Sequence, residues 1–240
     1  MRIAPLILLS SLALPAPAEA QELYRLRFAE DAPVIAASLA IGATPQLFTY
    51  ELPAARCLPR CNRYWVNPIE RWGIGLHSAF ADLLSDFLVL AIPVAGLAVE
   101  LSDVQDRAFW QDATVVLEAY ALQAAVLTLT KFGVRRPRPY VYDDTLSIQE
   151  RSGRESTLSF FSGHTSIAFV TAVAFAETYR RRHEGPAVAA VYAAGLTLAS
   201  LVGALRILAG KHFLTDVLVG ALVGTSFGIL VPALHARTRD

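Results

Sequence analysis

The sequence predicts an all-α protein, a membrane-embedded bundle of about five to six helices in one domain. Two observations carry this. The 240 residues are 54% hydrophobic and only 18% charged, with a mean hydropathy of +0.43, which is more apolar than an ordinary soluble domain. The apolar residues also gather into stretches of spanning or buried-helix length at 84–100, 111–130, 164–179 and 186–205, with a fifth at 212–235. Twenty-one basic residues balance twenty-one acidic ones, so no global field draws in nucleic acid, and any positive charge that matters is local.

In chain order, Met1-Arg2, an apolar run from Ile3 to Leu14 and Ala18-Glu19-Ala20 have the layout of a secretory signal peptide cleaved after Ala20, leaving 21–240 as a single helical domain. The alternative is an uncleaved first helix, although the apolar run is short for a span. Residues 32–50 hold Pro33, Gly42, Pro45 and Gln46 and read as a peripheral or re-entrant helix. Cys57 and Cys61 suit a local disulfide in an exported protein, with free thiols as the alternative; a metal site would want two more ligands nearby. Asp82 and Asp86 stand at the start of the first apolar stretch and Glu118 lies inside the second, so a large soluble bundle is the competing architecture.

The arginines supply an orientation. Arg180, Arg181 and Arg182 form a short basic turn between the third and fourth stretches, and Arg237 and Arg239 follow the fifth, which assigns that end to the cytoplasm. Lys131, Arg135, Arg136 and Arg138 are separated from that turn by one helix and face the other side, the periplasmic face of a bacterial inner membrane. A basic cluster there has another task, and binding an anion is the natural one. With the leader cleaved, the N-terminus starts outside and 32–50 does not cross; with it retained, 32–50 is a true span and there are six crossings. Residues 140–158 read as a polar loop.

Three patterns carry the chemistry: Lys131-x₆-Arg138-Pro139, Ser162-Gly163-His164, and Arg206-x₅-His212-x₃-Asp216. Each sits at the polar end of an apolar helix. Arginine forks match phosphate oxygens in pairs, and lysine adds a point charge. Ser162 is a good N-cap, and the helix that follows offers free N–H groups to an anion. His212 and Asp216, four apart, share one helix face if that helix includes both, so the carboxylate holds the far ring nitrogen and the near one becomes a nucleophile toward phosphorus. His164 then serves as general acid and base. Separately each pattern is bland: a solvated cluster, an N-cap, a structural network. Nine specified residues at about 1 in 20 each coincide by chance with a probability of about 10⁻¹¹ to 10⁻¹² per placement, so the bland readings fail together.

In that order, the motifs resemble the three signatures of the type 2 phosphatidic acid phosphatase superfamily, which includes membrane lipid phosphatases, soluble acid phosphatases and vanadium haloperoxidases. The resemblance covers Lys131 to Asp216. It implies an all-helical core, Lys131, Ser162, Gly163, Arg138 and Arg206 around a phosphate, His212 as nucleophile with Asp216 as partner, and His164 as acid and base. It further implies a lipid phosphate as substrate, no metal or other cofactor, and inhibition by vanadate. Two departures stand out: Phe161 replaces the usual Pro, loosening the approach to the Ser-Gly-His turn, and Leu205 replaces the usual Ser. Arg135 and Arg136 have no assigned role and are expected to be solvated. The rival functions are a soluble periplasmic acid phosphatase, a vanadium haloperoxidase and a membrane protein that only binds an anionic headgroup. Substrate identity and oligomeric state are not legible.

Overall fold

The computed structural model describes residues 23–48, 52–103 and 106–237, so the expected leader at 1–20 lies outside the described residues. Seven α-helices follow in order: α1 (Phe28–Phe48), α2 (Ala79–Asp103), α3 (Asp106–Val134), the single turn α4 (Ile148–Arg151), α5 (Gly163–Arg182), α6 (Pro186–Leu208) and α7 (Leu214–His235). Among the described residues there is no strand, only one isolated bridge between Tyr24 and Ala236.

α5 is the axis of the bundle, and α2, α3, α6 and α7 all pack against it. Its small residues Ala168, Ala172, Ala174 and Ala176 are buried, as are Val170 and Val173. The closest partner is α7, whose Gly220, Gly224 and Gly228 form a stripe along one face: a Cβ on Gly220 would lie 2.8 Å from the Ser162 carbonyl oxygen, and one on Gly228 2.8 Å from Val173 Cβ. Small residues four apart let two helices approach to backbone contact. This pairing brings the start of α5 and the start of α7 together.

The opposite distribution holds outside. On α2, Phe80, Leu83, Phe87, Leu90, Val94, Leu97 and Leu101 recur every three or four residues and are all exposed. Such a face would be an aggregation liability in water and is what a hydrocarbon solvent requires. α2, α3, α6 and α7 are each long and apolar enough to cross a membrane. α5, at 20 residues, is about 30 Å long and matches the hydrocarbon thickness while being walled off from it. The soluble bundle weighed above does not fit these faces.

Three boundaries differ from the sequence reading. α2 begins at Ala79, five residues before the predicted 84, because Ser78 Oγ accepts from Ala81 N (3.2 Å); Asp82 and Asp86 therefore sit on its first turns. α7 begins at Leu214, so His212 precedes the helix. The turn before it needs Gly210, at φ +69°, where a side chain would also collide with the Leu76 carbonyl. Of residues 32–50, expected as a peripheral or re-entrant helix, 32–48 belong to the 21-residue helix α1, which begins at Phe28 and lies along α3. α1 runs in the same direction as α3, for Gly42 packs on Ala124 and accepts from Thr128 Oγ1 (3.4 Å), while Asp31 and Glu118 meet the same histidine, His235. Tyr24 is paired beside the end of α7, with Arg25 N donating to the His235 carbonyl (2.8 Å). The chain thus enters the bundle at the end remote from the three motifs.

Candidate active site

The motif residues converge at one end of the bundle because helix ends are placed there. α3 stops where Arg135 takes the left-handed φ of +51° and Pro137 and Pro139 forbid further helix. Ser162 caps α5, accepting from Thr165 N, and its own N–H donates to the Asp216 carbonyl (2.9 Å). That bond fixes the Ser-Gly-His turn to the head of α7, and Phe161 beside it, where the usual proline is absent, is buried. Gly163 lies against Lys131, a Cβ there falling 3.9 Å from Lys131 Cε.

Three cations surround this turn, each oriented by an oxygen. Lys131 Nζ donates to the Leu158 carbonyl (2.7 Å). Arg138, 4% exposed, donates from Nε to the Glu155 carbonyl (3.0 Å) and pairs with the Glu155 carboxylate at 2.7 Å. Beside Arg138 the Glu155 carboxyl is held below its usual range, so the pair stays charged at neutral pH. Arg206 donates to Asp82 (2.8 Å), Ser85 (3.2 Å) and Asp86 (3.2 Å), while its Nε is buried without a hydrogen-bond partner, a donor ready for an anion. The disulfide-linked Cys57 and Cys61 lie in a loop packed on Val141 and Tyr140, bracing the segment that follows Arg138.

The two histidines are oriented differently. His164 Nε2 lies 2.8 Å from Asp86 Oδ1. His212, 1% exposed, has its Nδ1 3.7 Å from Asp216 Oδ2 and without a hydrogen-bond partner. The bond expected between them is not made, because His212 lies off the helix and Asp216 is engaged elsewhere: it accepts from Phe213 N (2.9 Å), Ser159 Oγ (2.5 Å) and Arg136 (2.6 Å). Arg136 is accordingly not solvated. It bridges Asp216 and Glu70 (2.8 Å), donates to Thr215, and lies over the Phe213 ring.

Burial, with the charges of Arg138, Lys131 and Arg206, holds His212 well below the ordinary histidine range, so the ring is neutral at neutral pH. The folded state binds this proton less readily than the unfolded chain, so His212 costs stability only as pH falls below its unfolded value of about 6.5. In ¹³C-histidine NMR its titration midpoint is expected below 6.5, and a midpoint at or above that value contradicts the geometry.

Sequence reasoning passed over Asp82, Asp86, Glu155, Glu70 and Arg136. The available signal was the pair Asp82 and Asp86, four apart on an apolar helix, where a carboxylate facing lipid is costly and one facing a cation is not.

All-helical architecture and exposed apolar crossings define a membrane protein, with three cations and two histidines gathered at one end of its bundle. Residues 112–240 match the PAP2 superfamily, and the chain belongs to it. A solved structure with the same fold is that of a transmembrane PAP2-type phosphatidylglycerolphosphate phosphatase from Bacillus subtilis, 19% identical, TM-score 0.53, with 87% of this chain and 96% of that one covered. No curated protein matches this chain.

Proposed function

We propose that this protein hydrolyses a phosphate monoester or diphosphate carried on a lipid, at the periplasmic face of the inner membrane, through a phosphohistidine on His212. Family membership supports phosphoric ester hydrolysis. The observation that favours a lipid is a cleft of about 320 Å³ between α2 and α3, lined by Val89, Leu90, Pro93, Val116, Tyr120, Ile167 and Thr171. Ile167 and Thr171 stand three and seven residues after His164 on α5, so an acyl or prenyl tail lying in the cleft leaves its phosphate beside that histidine.

In this mechanism neutral His212 attacks phosphorus, the ester P–O bond breaks, and His164 delivers a proton to the departing alkoxide. Lys131, Arg138 and Arg206 stabilise the equatorial oxygens. His164, held by Asp86, then takes a proton from water, which attacks the phosphohistidine and releases phosphate. Arg180–Arg182, Arg25 and Arg27 lie at the far end with the chain's entry into the bundle, which supports a cytoplasmic assignment for that end and six crossings.

The test is phosphate release by detergent-purified protein, with chelator, from phosphatidate, phosphatidylglycerophosphate, undecaprenyl diphosphate, lipid A and an aryl phosphate. At least one lipid is expected to exceed the aryl ester in kcat/KM by about tenfold or more, since the tail contributes binding by apolar burial. An aryl ester cleaved as well as every lipid would sink the lipid assignment, and inactivity on all with vanadium retained after dialysis would favour a haloperoxidase.

A further inference from the structure

About 32 Å from the head of α7, by the rise of its 22 residues, three side chains from three helices face one another: Asp31 on α1, Glu118 on α3 and His235 on α7. Their ligand atoms all lie within 4.8 Å. Glu118 is 6% exposed, and its Oε2 has no hydrogen-bond partner although it is aimed at His235 Nε2, 3.3 Å away. A buried carboxylate in a membrane helix calls for a partner.

The tautomer of His235 narrows what that partner is. Its Nδ1 lies 3.1 Å from the Val231 carbonyl, which only accepts, so Nδ1 carries the proton. With Nδ1 holding the proton, Nε2 is the nitrogen that faces Glu118 and Asp31 Oδ1 (3.5 Å) and the one free to act as a metal ligand, so three ligand atoms converge on one point. Asp31 is fixed in turn, its Oδ2 accepting from Arg27 N (2.6 Å). Imidazolium pairs bond at about 2.7–2.9 Å, shorter than either distance here. A tetrahedral ion with bonds of 2.0–2.1 Å holds its ligands about 3.3 Å apart, close to the two distances from His235 Nε2 to the carboxylates. An imidazole whose second nitrogen is tied to a carbonyl is also the usual support of a metal ligand.

We infer that Asp31, Glu118 and His235 form a binding site for a divalent transition ion of zinc size, at the end of the bundle remote from the catalytic histidines. Two carboxylates and one imidazole suit Zn²⁺ or its analogue Co²⁺, with a fourth position left to water. A hollow of about 740 Å³ lined in part by Arg25, Leu234 and Ala236 leads to it from that surface, and the nearby Arg27 is neutralised by Glu30 at 2.8 Å. Bound metal would join the start of α1, the middle of α3 and the end of α7.

The test uses full-length protein stripped with chelator and titrated with Co²⁺ and Zn²⁺. One ion per chain is expected, with the visible absorption of tetrahedral cobalt and a Zn²⁺-dependent rise in melting temperature. His235→Gln and Asp31→Asn should each weaken binding by about tenfold or more while retaining wild-type circular dichroism; His212→Ala should bind as wild type. Absence of stoichiometric binding to the wild type, or binding that survives His235→Gln and Asp31→Asn, overturns the site. Binding lost instead in His212→Ala moves the ion to the catalytic end and overturns it equally. Because the readouts are spectra and melting, they stand apart from any failure of the phosphatase reading.

Discussion

His212→Ala is expected to lower phosphate release by about 10³-fold or more at saturating substrate, with KM little changed. The ring is buried, neutral and surrounded by Lys131, Arg138 and Arg206, so its removal leaves the cradle able to hold phosphate but nothing to attack it. Labelled phosphate should appear on the wild type as an acid-labile, base-stable adduct and be absent from the variant. Equal activity in both proteins would remove the covalent route. Asp216→Asn should cost less in turnover than His212→Ala, since its carboxylate serves Phe213, Ser159 and Arg136 and stands 3.7 Å from the imidazole.

Arg136→Met is expected to be the most destabilising single change at the site. It leaves Glu70, 3% exposed, and Asp216, fully buried, without their shared cation, and breaking a buried pair in this way costs about 3–5 kcal/mol. For a chain of this size that corresponds to a fall of about 10 °C in melting temperature. Adding Glu70→Gln should recover part of the loss, because a neutral amide still accepts from Thr215 N without leaving a bare charge. If Arg136→Met melts with the wild type in detergent, the network is not a stabilising one.

The parts of this site that were legible in sequence are those where chemistry demands a residue type. A nucleophilic imidazole, a second imidazole for proton transfer and guanidiniums for phosphate oxygens admit few substitutes, so Lys131, Arg138, His164, Arg206 and His212 stand out by identity and spacing. The supporting residues do not, because several arrangements orient a cation equally well: a carboxylate from α2 holds Arg206, one from a loop holds Arg138, and a carbonyl holds Lys131. Arg136 was indistinguishable in sequence from its solvated alternatives, and only the fold of the segment after α3 turns it inward. The spacing of His212 and Asp216 misled because it presumed a helix through both, whereas Gly210 breaks the chain and α7 starts at Leu214. The helices of the bundle were readable from apolar runs, but the direction of α1 was not, since it depends on contacts with residues about 80 positions or more away.

The glycine stripe of α7 has a consequence for how the catalyst can vary. In the proposed mechanism the proton donor, His164, rides on α5 and the attacking ring, His212, precedes α7, so the distance between them is set by two backbones in direct contact at Gly220, Gly224 and Gly228. A displacement of about 1 Å in such a constellation is enough to cost two orders of magnitude in rate. The seam works as a caliper locked at one opening: the exposed apolar faces of the outer helices can re-shape the room around a tail or headgroup, while the spacing at which, in the proposed mechanism, phosphorus is handed from oxygen to nitrogen stays the same.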